Sequence, residues 1–456
     1  MQGVDTIFDN NKVPVKKLWQ VIMASSVGTV IEWYDFYIFG SLSAIISVSF
    51  FPKEDPTAAF ISTLAAFGAG FVARPFGGVL FGRLGDLIGR KYTFLLTLLL
   101  MGGSTFAIAF IPSYEKIGLV APALLLALRI IQGLALGGEY GGAATYVAEY
   151  APDAERGKYT SYIQTTATLG FFVSILVILA TQQLLGDAAF KDWGWRVPFA
   201  LSGILVVVSY FIRRNMDESP LFSKLKVEGR LSENPLKEAF ASKANRRLML
   251  IAMFGAIVGQ GVVWHTGQFY AQIFINKILQ VDFITTNLII AASLVVGTPL
   301  FVYFGSLSDR VGRKKIMLGG MALAALGYYP LFSWMSTIVA QEGTMVNGAI
   351  FLNWTGKLEL AFICSLLVTF AAMAYGPIAA FLVELFPTKI RYTSLSIPYH
   401  FANGVFGGCA PFVATWLGAV THSNFAGLFY PIALAALTVI IGMIYLPETK
   451  GRALSD

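Results

Sequence analysis

Seven ionisable side chains stand inside long apolar stretches of this 456-residue sequence: Glu32, Asp35, Arg74, Arg129, Glu139, His265 and His400. Such groups are costly to remove from water, and in membrane-length apolar runs they usually do chemistry. Glu32 and Asp35 are three positions apart, so on a helix they share one face. Two close carboxylates in a low dielectric do not both stay ionised easily, and one takes up a proton near neutral pH. That is what a proton-coupling site requires; buried structural ion pairs are the alternative. Arg74 and Arg129 offer a planar guanidinium, which grips a carboxylate through two parallel N–H groups. With a helix rise of about 1.5 Å per residue, Arg74 lies about 12 Å from the basic end of its run, and Glu139 about 15 Å. Glu32 lies about 20 Å deep, Asp35 about 24 Å and Arg129 about 30 Å. Depth therefore lets Arg74 pair with Glu139, and Asp35 with Arg129.

A second polar group is uncharged. Gln260, Trp264 and Gln268 are spaced i, i+4, i+8 and form one helical stripe, with His265 beside it. Tyr375 stands in a later apolar run, and Tyr399, His400 and Asn403 in the next. The two histidines read as hydrogen-bonded packing residues before proton carriers, and His422 falls in a loop. Other chemistries lack their patterns. There is no G-x-x-x-x-G-K-S/T for ATP, no H-E-x-x-H, no C-x-x-C and no G-x-S-x-G. The sequence thus predicts neither an enzyme nor a cofactor or metal site. Cys364 and Cys409 both lie in apolar runs and suggest packing, not a disulfide framework.

The elements that must position these residues are membrane helices. The chain is 56% hydrophobic and 13% charged, with a mean hydropathy of +0.67. A soluble protein carries about a quarter charged residues. Apolar runs of about 20 residues or more cross a bilayer core of about 30 Å. The expectation is an all-α polytopic membrane protein with twelve transmembrane helices. They fall near 19–47, 58–82, 92–111, 119–149, 158–185, 195–213, 247–277, 282–307, 315–336, 358–385, 393–420 and 425–447. Residues 1–213 and 247–456 form two six-helix halves. The polar segment 214–246, with Pro220 and Pro235, links them and carries short surface helices. Residues 1–18 are polar and basic, which predicts no cleavable signal peptide.

Two motifs recur in register. Gly82, Asp86, Gly89, Arg90 and Lys91 fit G-x-x-x-D-x-x-G-R-K, and Gly305, Asp309, Gly312, Arg313 and Lys314 repeat it. Glu149, Pro152 and Arg156 recur as Glu384, Pro387 and Arg391 with the same E-x2-P-x3-R spacing. The interval from Asp86 to Glu149 is shorter than that from Asp309 to Glu384, and a longer loop at 336–359 accounts for the excess. Two halves built alike are a known transporter plan. The matched spacing predicts one charged cluster of Asp86, Arg90, Glu149 and Arg156, and a counterpart of Asp309, Arg313, Glu384 and Arg391, acting as gates.

With these motifs the sequence resembles the major facilitator superfamily. Glu32–Phe36, Arg74–Pro75–Phe76–Gly77–Gly78, Arg129 with Gln132–Gly133, Gly137–Gly141 and Trp193–Phe199 narrow the resemblance to its metabolite:proton symporter family. That family includes carriers for 2-oxoglutarate, citrate, shikimate and proline/betaine. The ending Pro447–Arg452 is also similar to the tail of sugar porters. The resemblance implies the superfamily fold, with the first, fourth, seventh and tenth helices lining a cavity. It makes Arg74 a carboxylate-binding residue and Gln260, Trp264, Gln268 and Tyr375 substrate contacts. Glu32, Asp35 and Arg129 then serve proton coupling. The expected function is proton-coupled symport of a small organic anion (a mono-, di- or tricarboxylate) by alternating access. A zwitterion such as proline or betaine, or a sugar-like neutral solute, is the alternative cargo.

Basic residues set the expected orientation. Of 33 Lys and Arg, 25 fall on the side carrying both termini, five on the other, and Arg196 at a helix edge. This bias predicts both termini in the cytoplasm of a cell with the chain in its plasma (inner) membrane. It also accounts for the net charge of +7 without nucleic acid. The expected partners are substrate, protons and the lipid bilayer, with the chain a monomer.

Overall fold

The computed structural model describes residues 15–88, 90–138, 140–214, 235–387 and 391–454. All twelve expected helices are present. Helix 1 is Val15–Ser41, continued after a break by Ser43–Phe50. Helices 2 and 3 are Pro56–Ile88 and Arg90–Ile108. Helix 4 is Val120–Leu136, followed by Tyr140–Tyr150, and helices 5 and 6 are Arg156–Leu185 and Arg196–Arg214. Helix 7 spans Lys243–Ile278, helix 8 Phe283–Val311 and helix 9 Arg313–Glu342. Helix 10 is Trp354–Tyr375 with Ile378–Leu385 after it. Helix 11 opens as Arg391–Phe401 and ends as Ala410–Thr421, and helix 12 is Phe429–Tyr445. The linker carries one described short helix, Pro235–Ala241.

One expectation needs correcting. Residues 336–359 are not a single loop. Helix 9 runs on to Glu342, and Gly343–Val346 pairs antiparallel with Ala349–Leu352 around Asn347 and Gly348, both at positive φ. An Asn-Gly pair supplies the two left-handed residues a tight hairpin turn demands. Ile350 then donates to the Gln280 carbonyl and accepts from Asp282 N, tying the hairpin to the turn between helices 7 and 8.

Helices 7 and 11 are locally wide. Met253–Ile257, His265–Tyr270 and Phe274–Ile278 of helix 7, and Ala402–Gly407 of helix 11, are π-helical. Such turns push extra side chains toward one face and gather at functional sites. Pro75, Pro299, Pro330 and Pro398 sit inside helices, where neighbouring helices re-satisfy the freed carbonyls.

The two halves meet along helix pairs 5 and 8, 2 and 11, and 1 and 7. Small residues allow the closest of these approaches. A Cβ on Gly157 would stand 2.5 Å from the Gly305 carbonyl oxygen, and one on Gly305 would stand 2.5 Å from Ser161 Cβ. The start of helix 1 packs through Leu18 and Ile22 on Val147, Ala151, Tyr159 and Ile163. Helix 1 therefore begins at the same end of the bundle as helix 5, here termed the terminal face. At the opposite face, Arg196 donates to the carbonyls of Ala109 and Ile111, at 3.0 and 2.8 Å, and closes the end of helix 3.

Candidate functional site

Arg74 is 3% exposed and lies in the core between the halves. Helix 2 brings it against three rings. Its Cζ is 3.9 Å from the Phe71 ring centroid, 4.8 Å from Phe36 and 5.0 Å from Trp33. Rings hold a guanidinium by cation–π attraction but take no hydrogen bond from its edge. Nε and Nη2 have no hydrogen-bond partner among the described residues. The Arg74 charge acts on Tyr37 of helix 1, His265 of helix 7, Tyr375 of helix 10 and His400 of helix 11. Arg74 is thus the electrostatic centre of a site built from both halves. The expected partner Glu139 lies outside the described residues.

Helix 7 and helix 1 meet through aromatic stacking. Trp33 stacks on Tyr37 at 5.1 Å, and Tyr37 on Trp264 at 5.3 Å. Trp264 Nε1, Tyr37 Oη, His265 Nε2 and both amide atoms of Gln268 are buried without partners among the described residues. Tyr375 and Tyr399 share a hydrogen bond between hydroxyls at 2.9 Å. Gln260 is partly committed, because its Oε1 accepts from Asn403 Nδ2 at 3.2 Å. Of the expected stripe, Trp264 faces Tyr37 of helix 1 and Gln260 faces Asn403 of helix 11. Trp33, Tyr37 and Phe71 were not among the expected site residues. Their signal was present: Trp33 and Tyr37 are four apart and flank Asp35 on the same helix.

Asp35 and Arg129 do not pair, which corrects the depth argument. Arg129 gives Nη1 to Gln132 Oε1 at 2.6 Å, and Gln132 passes the chain to Thr105 at 2.7 Å. Its Cζ sits 4.1 Å from Phe36 and 4.4 Å from Phe39. Asp35 instead turns toward helices 3 and 6. A Cβ on Gly102 would stand 3.3 Å from its Oδ2, and the Ser202 hydroxyl acts on it without completing a hydrogen bond. Depth fixes height in the bundle, not direction around the helix. Glu32, three residues earlier, is also buried.

At the terminal face the two E-x2-P-x3-R motifs exchange partners. Glu384 accepts at Oε1 from Arg156 Nη1 and Arg313 Nη2, each at 3.0 Å, and at Oε2 from Thr449 Oγ1 at 2.8 Å. Arg156 also pairs with Asp153. Glu149 acts electrostatically on Arg391. Each glutamate thus addresses the E-x2-P-x3-R arginine of the other half, and Glu384 also holds Arg313 of its own half, so that Arg156 joins a cluster it was not expected in. Equivalent motifs placed face to face by the pseudo-symmetry bring each glutamate to a guanidinium across the interface, while Arg156 shares Glu384 with Arg313 and also acts on Arg391. Asp309 accepts from Gly157 N and Lys158 N at 2.8 and 2.9 Å, capping helix 5, and from Arg313 Nη1 at 2.6 Å. The Asp86 and Arg90 side chains lie outside the described residues.

The tail closes this network. Glu448 accepts from Arg313 N at 2.9 Å and Lys314 N at 3.2 Å, capping helix 9. Gly312 is required there twice: its φ is 111°, and a Cβ would stand 2.5 Å from Glu448 Oε2. The Arg452 carbonyl accepts from Arg156, and the Leu454 carbonyl from Arg391, both at 3.0 Å. Arg391 lies just before the membrane-spanning stretch Thr393–Thr421. Burial holds its guanidinium down at about 10, with Glu149 raising it and Arg156 lowering it further, so it remains a cation at neutral pH.

The opposite face is shut by rings. Phe269 of helix 7 stacks on Phe67 at 4.9 Å and packs on Phe171 at 5.6 Å, and Gly40 leaves no room for a Cβ beside it. The central site is therefore enclosed from both ends.

A twelve-helix bundle of two similar halves, with a buried polar centre and closures at both faces, defines a membrane transporter. The family model for the sugar (and other) transporter family matches residues 20–234 and 223–456. The chain belongs to that family. It is 34% identical to the inner membrane metabolite transport protein YhjE of Escherichia coli (strain K12), over 100% of both chains. It is 32% identical to the alpha-ketoglutarate permease of the same strain, over 96% of each. A putative proline/betaine transporter of Staphylococcus haemolyticus is 32% identical, over 97% of this chain and 91% of that one. The solved proton:xylose symporter XylE of the major facilitator superfamily superimposes with a TM-score of 0.70 at 20% identity, over 97% of this chain and 98% of that one. The protein is a multi-pass membrane transporter of the sugar (and other) transporter family with the major facilitator fold, and not an enzyme.

Proposed function

We propose that the protein is a proton-coupled carrier that takes up a small organic anion by alternating access across the inner membrane. The observation that carries this is Arg74: a buried guanidinium between the halves with two N–H edges unmatched among the described residues. A cation in that position wants an anion, and a carboxylate fits its fork. Gln268, Trp264, Tyr37 and the Tyr375–Tyr399 pair complete the pocket. Relatives named for alpha-ketoglutarate support a carboxylate cargo.

Coupling is assigned to helix 1. A group that carries a proton must not be locked in an ion pair, and Asp35 has no counter-charge hydrogen-bonded to it among the described residues. Glu32 lies on the same helix, and Arg129 neighbours the site through Phe36. The terminal face is assigned to the cytoplasm on the charge bias. There, Arg156, Asp309, Arg313, Glu384, Glu149 and Arg391 form the inner gate.

The test is uptake into proteoliposomes. A labelled organic acid should accumulate when an inward proton gradient is imposed, and a protonophore should abolish the accumulation. Uptake that ignores the gradient removes the coupling; uptake of neutral solutes alone removes the anion. A second cargo has its own support. The Trp33–Tyr37–Trp264 stack beside Arg74 offers ring faces to a quaternary ammonium, as a betaine would need.

A further inference from the structure

The unmatched polar atoms around Arg74 have a pattern that narrows the cargo. His265 Nδ1 stands 2.8 Å from the Gly261 carbonyl oxygen. A carbonyl only accepts, so Nδ1 carries the ring proton and Nε2 is a bare lone pair. That nitrogen is buried without a partner among the described residues. Three residues on, Gln268 is 1% exposed, with its amide nitrogen and its amide oxygen both unmatched. Trp264 Nε1, beside His265, is an unmatched donor. The set thus contains donors and acceptors side by side, which is what a hydroxyl group satisfies, since it donates once and accepts twice.

The cationic capacity is single. Among the described residues, the partners of Arg129 belong to its own half: Gln132, Phe36, Phe39 and Phe67. Arg74 alone faces helices 7, 10 and 11, and the groups it acts on there are phenols and imidazoles. A second carboxylate would be desolvated against uncharged groups, at a cost that neutral hydrogen bonds do not recover.

We infer that the cargo is a hydroxylated monocarboxylate, its carboxylate on Arg74 and its hydroxyls on His265 Nε2 and the Gln268 amide. This rests on the organic-anion reading above.

The experiment measures binding to the purified full-length protein by thermal shift and calorimetry. The probes are gluconate, galacturonate, hexanoate, glucarate, glucose and betaine. At least one sugar acid should bind ten or more times tighter than hexanoate and than glucarate, about one to two hydrogen bonds' worth. Gln268→Leu and His265→Phe should each weaken sugar-acid binding about tenfold more than they weaken hexanoate binding. Hexanoate or glucarate binding within tenfold of the better sugar acid, or tighter, overturns the inference and leaves the organic-anion reading standing. Unchanged sugar-acid affinity in both variants, well folded, also overturns it. Binding of glucose or betaine but of no acid, or of no probe at all, overturns the organic-anion reading itself.

Discussion

A guanidinium held by rings is held without specificity at its edge, and that is what makes Arg74 testable. Phe71, Phe36 and Trp33 fix its plane through contacts that a lysine ammonium also makes. A lysine cannot supply the two-pronged edge. Arg74→Lys is therefore expected to keep its melting temperature and lose about tenfold or more in carboxylate affinity. A fall in melting temperature with unchanged affinity would make Arg74 a structural cation. Asp35 tests the proton in the same way. Asp35→Asn is nearly the same shape in the niche formed with Gly102 and Ser202. It should abolish gradient-driven accumulation and spare counterflow exchange, both read in one proteoliposome preparation. Full accumulation by Asp35→Asn would move the coupling to Glu32.

Among elements, the proposed inner gate is a junction of helix ends. The carboxylate of Glu384 sits between arginines from helix 5 and helix 9, all three nearly inaccessible. Removing one charge from such a buried set costs about 3–5 kcal/mol. Glu384→Gln should therefore shift the carrier toward terminal-face opening, seen as faster labelling of a cysteine placed at Ser161. Unchanged labelling would mean the cluster does not hold the gate. The tail belongs to the same junction, since Thr449, Arg452 and Leu454 each bond a gate residue. Deleting residues 447–456 should produce the same increase in labelling with the helices intact by circular dichroism. Labelling at the wild-type rate would reduce the tail to an ornament of helix 9.

For the whole molecule, closure at both faces makes the proposed coupling a matter of opening one side at a time. Polar contacts shut the terminal face, and the Phe269 plug shuts the other. Phe269→Ala empties the space between Phe67 and Phe171 and loosens the second closure. Each single variant keeps one barrier. The double variant Glu384→Gln with Phe269→Ala lacks both, and should dissipate a proton gradient several times faster than either, followed with an internal pH dye. Equal leak in single and double variants would show that the barriers lie elsewhere.

Read alone, the chain already dictates the twelve helices and the two halves, and it singles out Glu32, Asp35, Arg74 and Arg129 as buried charges, though not Arg156, Arg313, Glu384 and Arg391. Long apolar runs leave a membrane chain no other backbone solution, because an unsatisfied peptide group in lipid costs too much. It also grouped Asp309, Arg313 and Glu384, because spacing that repeats in both halves places them at equivalent helix ends, but it set Arg156 apart in a cluster with Asp86, Arg90 and Glu149. Only the tertiary structure decided who touches whom. Spacing fixes height along a helix, but each residue turns the side chain by about 100°, and which neighbour it meets depends on how helices are arranged. So Asp35 meets helices 3 and 6 in place of Arg129, and the gate glutamates reach across to the other half. The tail's carbonyls were invisible for a further reason. Every residue has a carbonyl, and only the packed bundle selects those of Arg452 and Leu454 as partners for Arg156 and Arg391.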